Sequence, residues 1–295
     1  MYKLLLAAIL GLAVLQSASA QAIMTQDLAS RYGIPVHVSG INSDADDYGP
    51  RFDPVGGSIY LTSERSGTAA IYVVRTGNGQ GTSLFDDASV TNVGGTLNET
   101  GKHRAFASFS ASGDAVAAAY IMRSARPQVG IISVLRDGAQ LNAGLPIEIM
   151  NGEFFCSHPT LSASGTRMIV ARDQREDGNG LDLYISERMS GGEWSTPSPL
   201  SSVINSTGNE MTPVFIGNDS LLFASDGYGG RGGMDLFLTV YEDGTWQEPT
   251  PLDWLNTEFD ETDACMLADG TLLFASNRPG GRGGLDIYVV RRKED

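Results

Sequence analysis

The sequence runs to 295 residues with 20 Lys and Arg against 35 Asp and Glu, a formal net charge of -15, 41% hydrophobic residues and 36 glycines. So acidic a chain repels phosphate backbones, which excludes nucleic acid as a partner and argues against an anionic membrane surface. The length suits one large all-β domain or two smaller ones.

Residues 1–20 read as a signal peptide: Lys3 gives a positive start, Leu4 to Leu15 an apolar core, and Ala18-Ser19-Ala20 a small-residue cleavage signal. The apolar stretch is too short to span a bilayer, and no other long apolar run exists, so the expectation is an exported chain without a transmembrane segment. No cysteine follows the cleavage signal, which argues against a lipoprotein anchor. Periplasmic location comes first, with outer-membrane-associated or secreted as the alternatives. Residues 21–32 carry no strand pattern and are expected to form an N-terminal tail or short helix.

From residue 33 to residue 295 one pattern recurs. An apolar residue followed by Asn appears at Ile41-Asn42, Leu97-Asn98, Met150-Asn151, Ile204-Asn205 and Leu255-Asn256, at spacings of 56, 53, 54 and 51 residues. Eight or nine residues later stands a Pro or small residue: Pro50, Ala107, Pro159, Pro213 and Ala264. Two residues further sits an apolar one: Phe52, Phe109, Leu161, Phe215 and Met266. A tight turn follows, such as Ser162-Ala163-Ser164-Gly165, then a second apolar run and a third. Turn residues between short apolar runs signal hairpins, because Gly, Asn and Asp tolerate turn dihedrals.

The strongest self-similarity is Leu221 to Asp235, LLFASDGYGGRGGMD, against Leu272 to Asp286, LLFASNRPGGRGGLD, with eleven of fifteen positions identical at an offset of 51. Such a period means one supersecondary unit copied in tandem. A fourth run carries prolines, Trp194 to Leu200 and Trp246 to Leu252, and is therefore an edge strand. Four strands per unit, the fourth outermost, make a propeller blade. Five copies predict an all-β, five-bladed β-propeller of four-stranded antiparallel blades. The last copy stops after its third strand, and Gly33-Ile34-Pro35-Val36 precedes Asn42 as Thr250-Pro251-Leu252 precedes Asn256. The N-terminal strand is thus expected to close the last blade.

The motifs Leu222-Phe223-Ala224-Ser225, Gly229-Gly230-Arg231-Gly232-Gly233-Met234-Asp235, Trp246-x-x-Pro249 and Leu255-Asn256 resemble the WD40-like (PD40) β-propeller repeat. That repeat is known from the TolB propeller, and its Gly-Gly-x-Asp form is similar to propellers joined to OmpA-like domains in Bacteroidetes-type bacteria. The resemblance implies protein binding without catalysis. It points to a protein partner in the cell envelope.

Candidate functional residues follow from the blade geometry. The residue three before the Pro position should lie at one channel mouth: Asp47, Arg104, Cys156, Glu210 and Glu261. Three carboxylates there allow an alternative class, a glycosidase-like carbohydrate-active enzyme, since five-bladed propellers house such enzymes with paired carboxylates. The competing reading is that Glu210 and Glu261 cap backbone N–H groups as a repeat feature. Arg231, Arg282 and Tyr228 sit on equivalent Gly-rich loops. With Asp47, Glu210 and Glu261 they form the expected partner-binding rim, since Arg and Tyr anchor interfaces.

Asn42, Asn98, Asn151, Asn205 and Asn256, with Asp182, Asp235 and Asp286, are expected to hold the repeat together structurally. Asp173, Asp177, Asn179 and Asp182 lack EF-hand spacing, the Gly-rich loops open no helix and lack a phosphate-loop Lys, and His37, His103 and His158 are scattered. No catalytic set, metal site or cofactor is therefore expected. Cys156 and Cys265 fall in non-adjacent repeats and are expected as buried free thiols.

Overall fold

The computed structural model describes residues 29–76, 85, 88–99, 102–123, 126–152, 154–173 and 180–293. The signal-peptide reading of residues 1–20 and most of the tail lie outside these. So do Asp177 and Asn179. Residues 29–31, the described end of the tail, are helical.

Five antiparallel sheets make five blades. Blade 1 comprises Asp47–Asp53, Ser58–Ser63, Ala70–Arg75 and Ser89–Asn92; blade 2 comprises Arg104–Phe109, Ala115–Arg123, Arg126–Asp137 and Gln140–Pro146. Blade 3 runs through Cys156–Leu161, Arg167–Arg172, Asp182–Glu187 and Ser198–Pro199. Blade 4 runs through Glu210–Ile216, Ser220–Ser225, Asp235–Glu242 and Thr250–Pro251, with Thr245–Trp246 added alongside its third strand. Blade 5 comprises Glu261–Met266, Leu272–Ser276 and Asp286–Val290, and its fourth strand is Val36–His37. Val36 faces Val289 and His37 faces Tyr288, so the start of the described chain closes the ring.

The core lies between the blades. Because each sheet is apolar on both faces, five clusters form, one at each blade interface. Ile41, Leu61 and Tyr72 of blade 1 pack with Leu273 and Ile287 of blade 5, for example. The apolar residue before each repeat Asn is buried to within 1% (Ile41, Leu97, Met150, Ile204 and Leu255). At ~25 cal/mol per Å² these interfaces are the main driving force of the fold. Cys156 and Cys265 are buried free thiols in separate interface clusters. Burial pushes the Cys156 thiol up to about 12.

The repeat Asn residues explain themselves. Asn42 accepts from Ile287 N at 2.7 Å and donates to Ile287 O at 2.8 Å. Asn98 does the same to Ile71, Asn151 to Ile131, Asn205 to Leu183 and Asn256 to Leu236. Each clasp joins the lead-in loop of one blade to the third strand of the blade before it. An amide side chain, with one acceptor and two donors, supplies both bonds at once.

Two details depart from the simple repeat. The Pro-bearing fourth strands shrink to two paired residues, Ser198–Pro199 against Tyr184 and Ile185, and Thr250–Pro251 against Phe237 and Leu238. Pro removes the donors a longer ladder needs. The tryptophans instead extend the third strand as a short hairpin: Trp194 bridges Arg188 and Trp246 faces Tyr241. Blade 2, whose second and third strands are longer than elsewhere, packs them through Ala117, Ala118 and Ala119, all within 3% of full burial.

Candidate functional site

Asp47, Arg104, Cys156, Glu210 and Glu261 each begin the innermost strand of a blade, so the five are brought to one mouth of the channel. Asp47, Glu210 and Glu261 are fully buried. Asp47 Oδ2 accepts from Ser43 N and Oγ at 2.5 and 2.7 Å, while Oδ1 accepts from Arg65 at 2.6 Å. Glu261 accepts from Thr257 N and Oγ1, from Ser276 Oγ at 2.8 Å and from Arg278 Nη2 at 2.9 Å. Glu210 accepts from Ser206 N and Oγ and from Ser225 Oγ at 2.7 Å. In each case the partners belong to the same blade or to its own lead-in loop. Arg65 and Arg278 also reach the carbonyls of Ile41 and Leu255, tying the acid to the loop.

The Gly-rich loops share this face. Asp235 Oδ2 accepts from Arg231 N and Gly232 N at 2.7 and 3.1 Å, and Asp286 Oδ2 accepts from Arg282 N and Gly283 N at 2.8 and 3.0 Å. Asp182 occupies the matching position opposite Arg172 in blade 3. A side chain at Gly232 would put a Cβ 1.9 Å from Phe259 O, and one at Gly283 would put it 2.2 Å from Ala45 O. These glycines are needed because the next blade's lead-in loop presses against them.

Of the expected anchors, Arg282 donates from Nε and Nη2 to Asp44 of blade 1's lead-in loop at 3.0 and 2.7 Å. Both partners are substantially exposed, so this pair adds little stability. Arg231 lies 3.7 Å from Asp253, both more than half exposed. Tyr228 is half-buried against Phe223 and Phe237, and its hydroxyl donates to the carbonyls of Val203 and Ile204. Burial raises its pKa, with the Glu210 and Glu248 charges adding to the shift.

Deeper in the channel lies a group that pattern reading missed. The third residue of every innermost strand, Gly49, Phe106, His158, Thr212 and Asp263, has a positive φ between 49° and 59° and sits at a bulge. The bulge frees main-chain N–H groups that the preceding blade satisfies. Phe106 N donates to Thr62 Oγ1 and Asp263 N to Thr212 Oγ1, at 2.9 and 3.1 Å.

Near the axis the Phe106 and His158 rings approach to 3.9 Å between centroids, and Arg51 Nη2 stands 4.0 Å from Asp263 Oδ1. Burial, with the Arg51 charge, lowers His158 to about 3. Burial likewise raises Asp263, against the opposing pull of Arg51, the Thr262 hydroxyl and the Gly49 amide. Pattern reading passes over these positions because equivalent ones hold Gly, Phe, His, Thr and Asp, with no shared residue type to recur.

Among the described residues no cluster of three or more His, Cys, Asp or Glu is arranged to hold a metal ion, and no helix is long and apolar enough to cross a membrane.

Solved structures with the same architecture bear on this geometry. An α-L-arabinofuranosidase from Lactobacillus brevis superposes with a TM-score of 0.56 at 14% identity, covering 87% of this chain and 94% of that one. The chain has the β-propeller fold. A thermostable family-43 glycoside hydrolase matches with a TM-score of 0.55 at 11% identity, over 88% of this chain and 94% of the other. TolB from Acinetobacter baumannii matches with a TM-score of 0.42 at 14% identity, over 87% of this chain and 57% of its own. At these identities the first two likenesses establish the propeller alone; fold does not fix function. No family model matches the chain, and no curated protein does.

Proposed function

We propose that this chain is a non-enzymatic, exported β-propeller of the WD40-like (PD40) repeat class that serves as a protein–protein interaction scaffold in the bacterial envelope. One observation carries the reading: Asp47, Glu210 and Glu261 are fully buried, and both oxygens of each already accept hydrogen bonds from their own blades and lead-in loops. A catalytic acid or base needs a free oxygen directed at substrate. These carboxylates instead act as staples that hold the lead-in loops in place. The rim so fixed, on the side of blades 4 and 5, offers Arg231 and Arg282 on a rigid scaffold, where binding usually resides.

The glycosidase alternative stays open to the same test. Hydrolysis of aryl arabinofuranosides and xylosides should be absent, and turnover that disappears in Glu210→Gln or Glu261→Gln would replace the binding reading with the enzymatic one. A pull-down from the native envelope should yield a partner. The Arg231→Ala, Arg282→Ala double variant should weaken it by about 1 kcal/mol or more. Unchanged affinity in a folded variant would move the interface elsewhere.

A further inference from the structure

The face opposite that rim holds a cavity of about 280 Å³ at the other mouth of the channel. All five blades line it. Phe52, Phe109, Leu161, Phe215 and Met266, one from each innermost strand, give it an apolar wall. Its rim is preformed by main-chain bonds between the turns of successive blades: Ala111 N donates to Ala163 O, and Ala163 N to Gly217 O, both at 2.9 Å. Tyr32 donates to Gly270 O at 2.7 Å on the blade 5 side.

The charge of this cavity is opposite to that of the chain. Among the described residues the charged ones lining it are Arg51, Arg31 and Arg292, with no Asp or Glu, in a chain of net charge -15. Arg51 is 4% exposed, and only its Nη1 finds an acceptor, the Pro50 carbonyl at 2.8 Å. Among the described residues its Nε and Nη2 have no hydrogen-bond partner, and Asp263 Oδ1, 4.0 Å from Nη2, is beyond hydrogen-bonding reach. A buried guanidinium with two unmatched donors is costly unless an acceptor completes it.

We infer that the cavity is a binding site for a small organic anion, a carboxylate on a short apolar body, with the carboxylate on Arg51 and the body against the ring of apolar side chains. The planar guanidinium fork suits a carboxylate. The volume lies just below the ~300–1,000 Å³ typical of small-molecule sites, which limits the ligand to a short one. Arg292 at the mouth adds positive charge that attracts anions from solution.

Octanoate and octanol are the probes, titrated calorimetrically into the full chain. Octanoate is expected to bind at least tenfold more tightly than octanol. Arg51→Met should weaken octanoate at least tenfold and leave octanol unchanged. Since Arg51→Met disturbs a buried pair and the variant is vulnerable to misfolding, Ala163→Trp serves as the second variant. It adds bulk at the mouth, while the main-chain bonds of residue 163 do not depend on its side chain, and it should abolish binding of both probes. Equal affinity for the two probes, no binding of octanoate to the parent chain, or octanoate binding that survives Ala163→Trp would each overturn the assignment.

Discussion

Asn42 holds both main-chain polar atoms of Ile287, 245 residues away, at 2.7 and 2.8 Å. This is the clasp that recurs at every blade boundary, placed where the two ends of the ring meet. Replacing Asn42 by Ala strands the buried Ile287 N–H and leaves Ile287 O only its longer bond from Val38 N, at 3.2 Å. The variant should lose about 1–3 kcal/mol, read from the midpoint of urea unfolding at unchanged slope. Asn98→Ala, whose clasp on Ile71 is only part-buried, should lose less.

The fourth strand of blade 5 comes from the start of the described chain. A chain beginning at Ile41 lacks Val36 and His37, and with them the pairing to Val289 and Tyr288. It leaves the outer edge of blade 5 unpaired and uncovers part of the cluster that Val38 helps to build. Calorimetry should show loss of the single cooperative transition; an unchanged melting curve would mean that closure contributes nothing.

Gly232 and Gly283 sit where one blade's loop meets the next blade's lead-in. Alanine at either position places a Cβ at 1.9 Å from Phe259 O or 2.2 Å from Ala45 O. Backbone must move in response, so Gly232→Ala and Gly283→Ala should each cost about 1–3 kcal/mol. Thermal melts would register this as a drop in Tm of several degrees.

His158 is buried near Arg51, and its folded pKa of about 3 lies below the ordinary 6.5. The unfolded chain therefore binds the extra proton first. Stability from this residue is complete above pH 6.5 and is lost as pH falls from there toward 3, at ~1.4 kcal/mol per unit as an upper bound. Asp263 has the opposite sign: its raised pKa means that stability falls as pH rises through the folded value. His158→Asn keeps a residue tolerant of positive φ and should flatten the decline in urea midpoint between pH 6.5 and 4. A decline of equal steepness in the variant would assign the effect to other groups.

The fold was legible because its constraints repeat. The Asn that clasps the preceding blade and the glycines that yield to the next one must stand at fixed offsets, so Asn256 and Gly283 announce themselves by recurrence. The closing strand was legible for the same reason, since Pro35 and Pro251 precede their Asn alike. The Trp194 and Trp246 segments read as longer outer strands than the two-residue pairings that form, because hydrophobicity alone does not reveal where proline breaks the ladder.

The channel was not legible. Arg51, His158 and Asp263 come from three different blades and meet only once the ring is closed. A repeat position that changes chemistry in every copy carries no pattern to detect. Asp47, Glu210 and Glu261 were legible as a ring of acids. That Glu210 and Glu261 accept backbone N–H groups as a repeat feature was one of the two readings the sequence allowed, and the added Ser, Thr and Arg partners emerge only from side-chain geometry.

The manner of closure also decides how the ring answers a pull. Tyr32 pairs with Arg292 at one end of the seam, and Val36 with Val289 farther in. Force applied to the two chain ends would therefore load the seam from a single side, opening its bonds one after another like a zipper rather than shearing them together. The propeller is sealed against thermal opening by the clasp and the cluster behind it, yet mechanically its weakest line runs through blade 5.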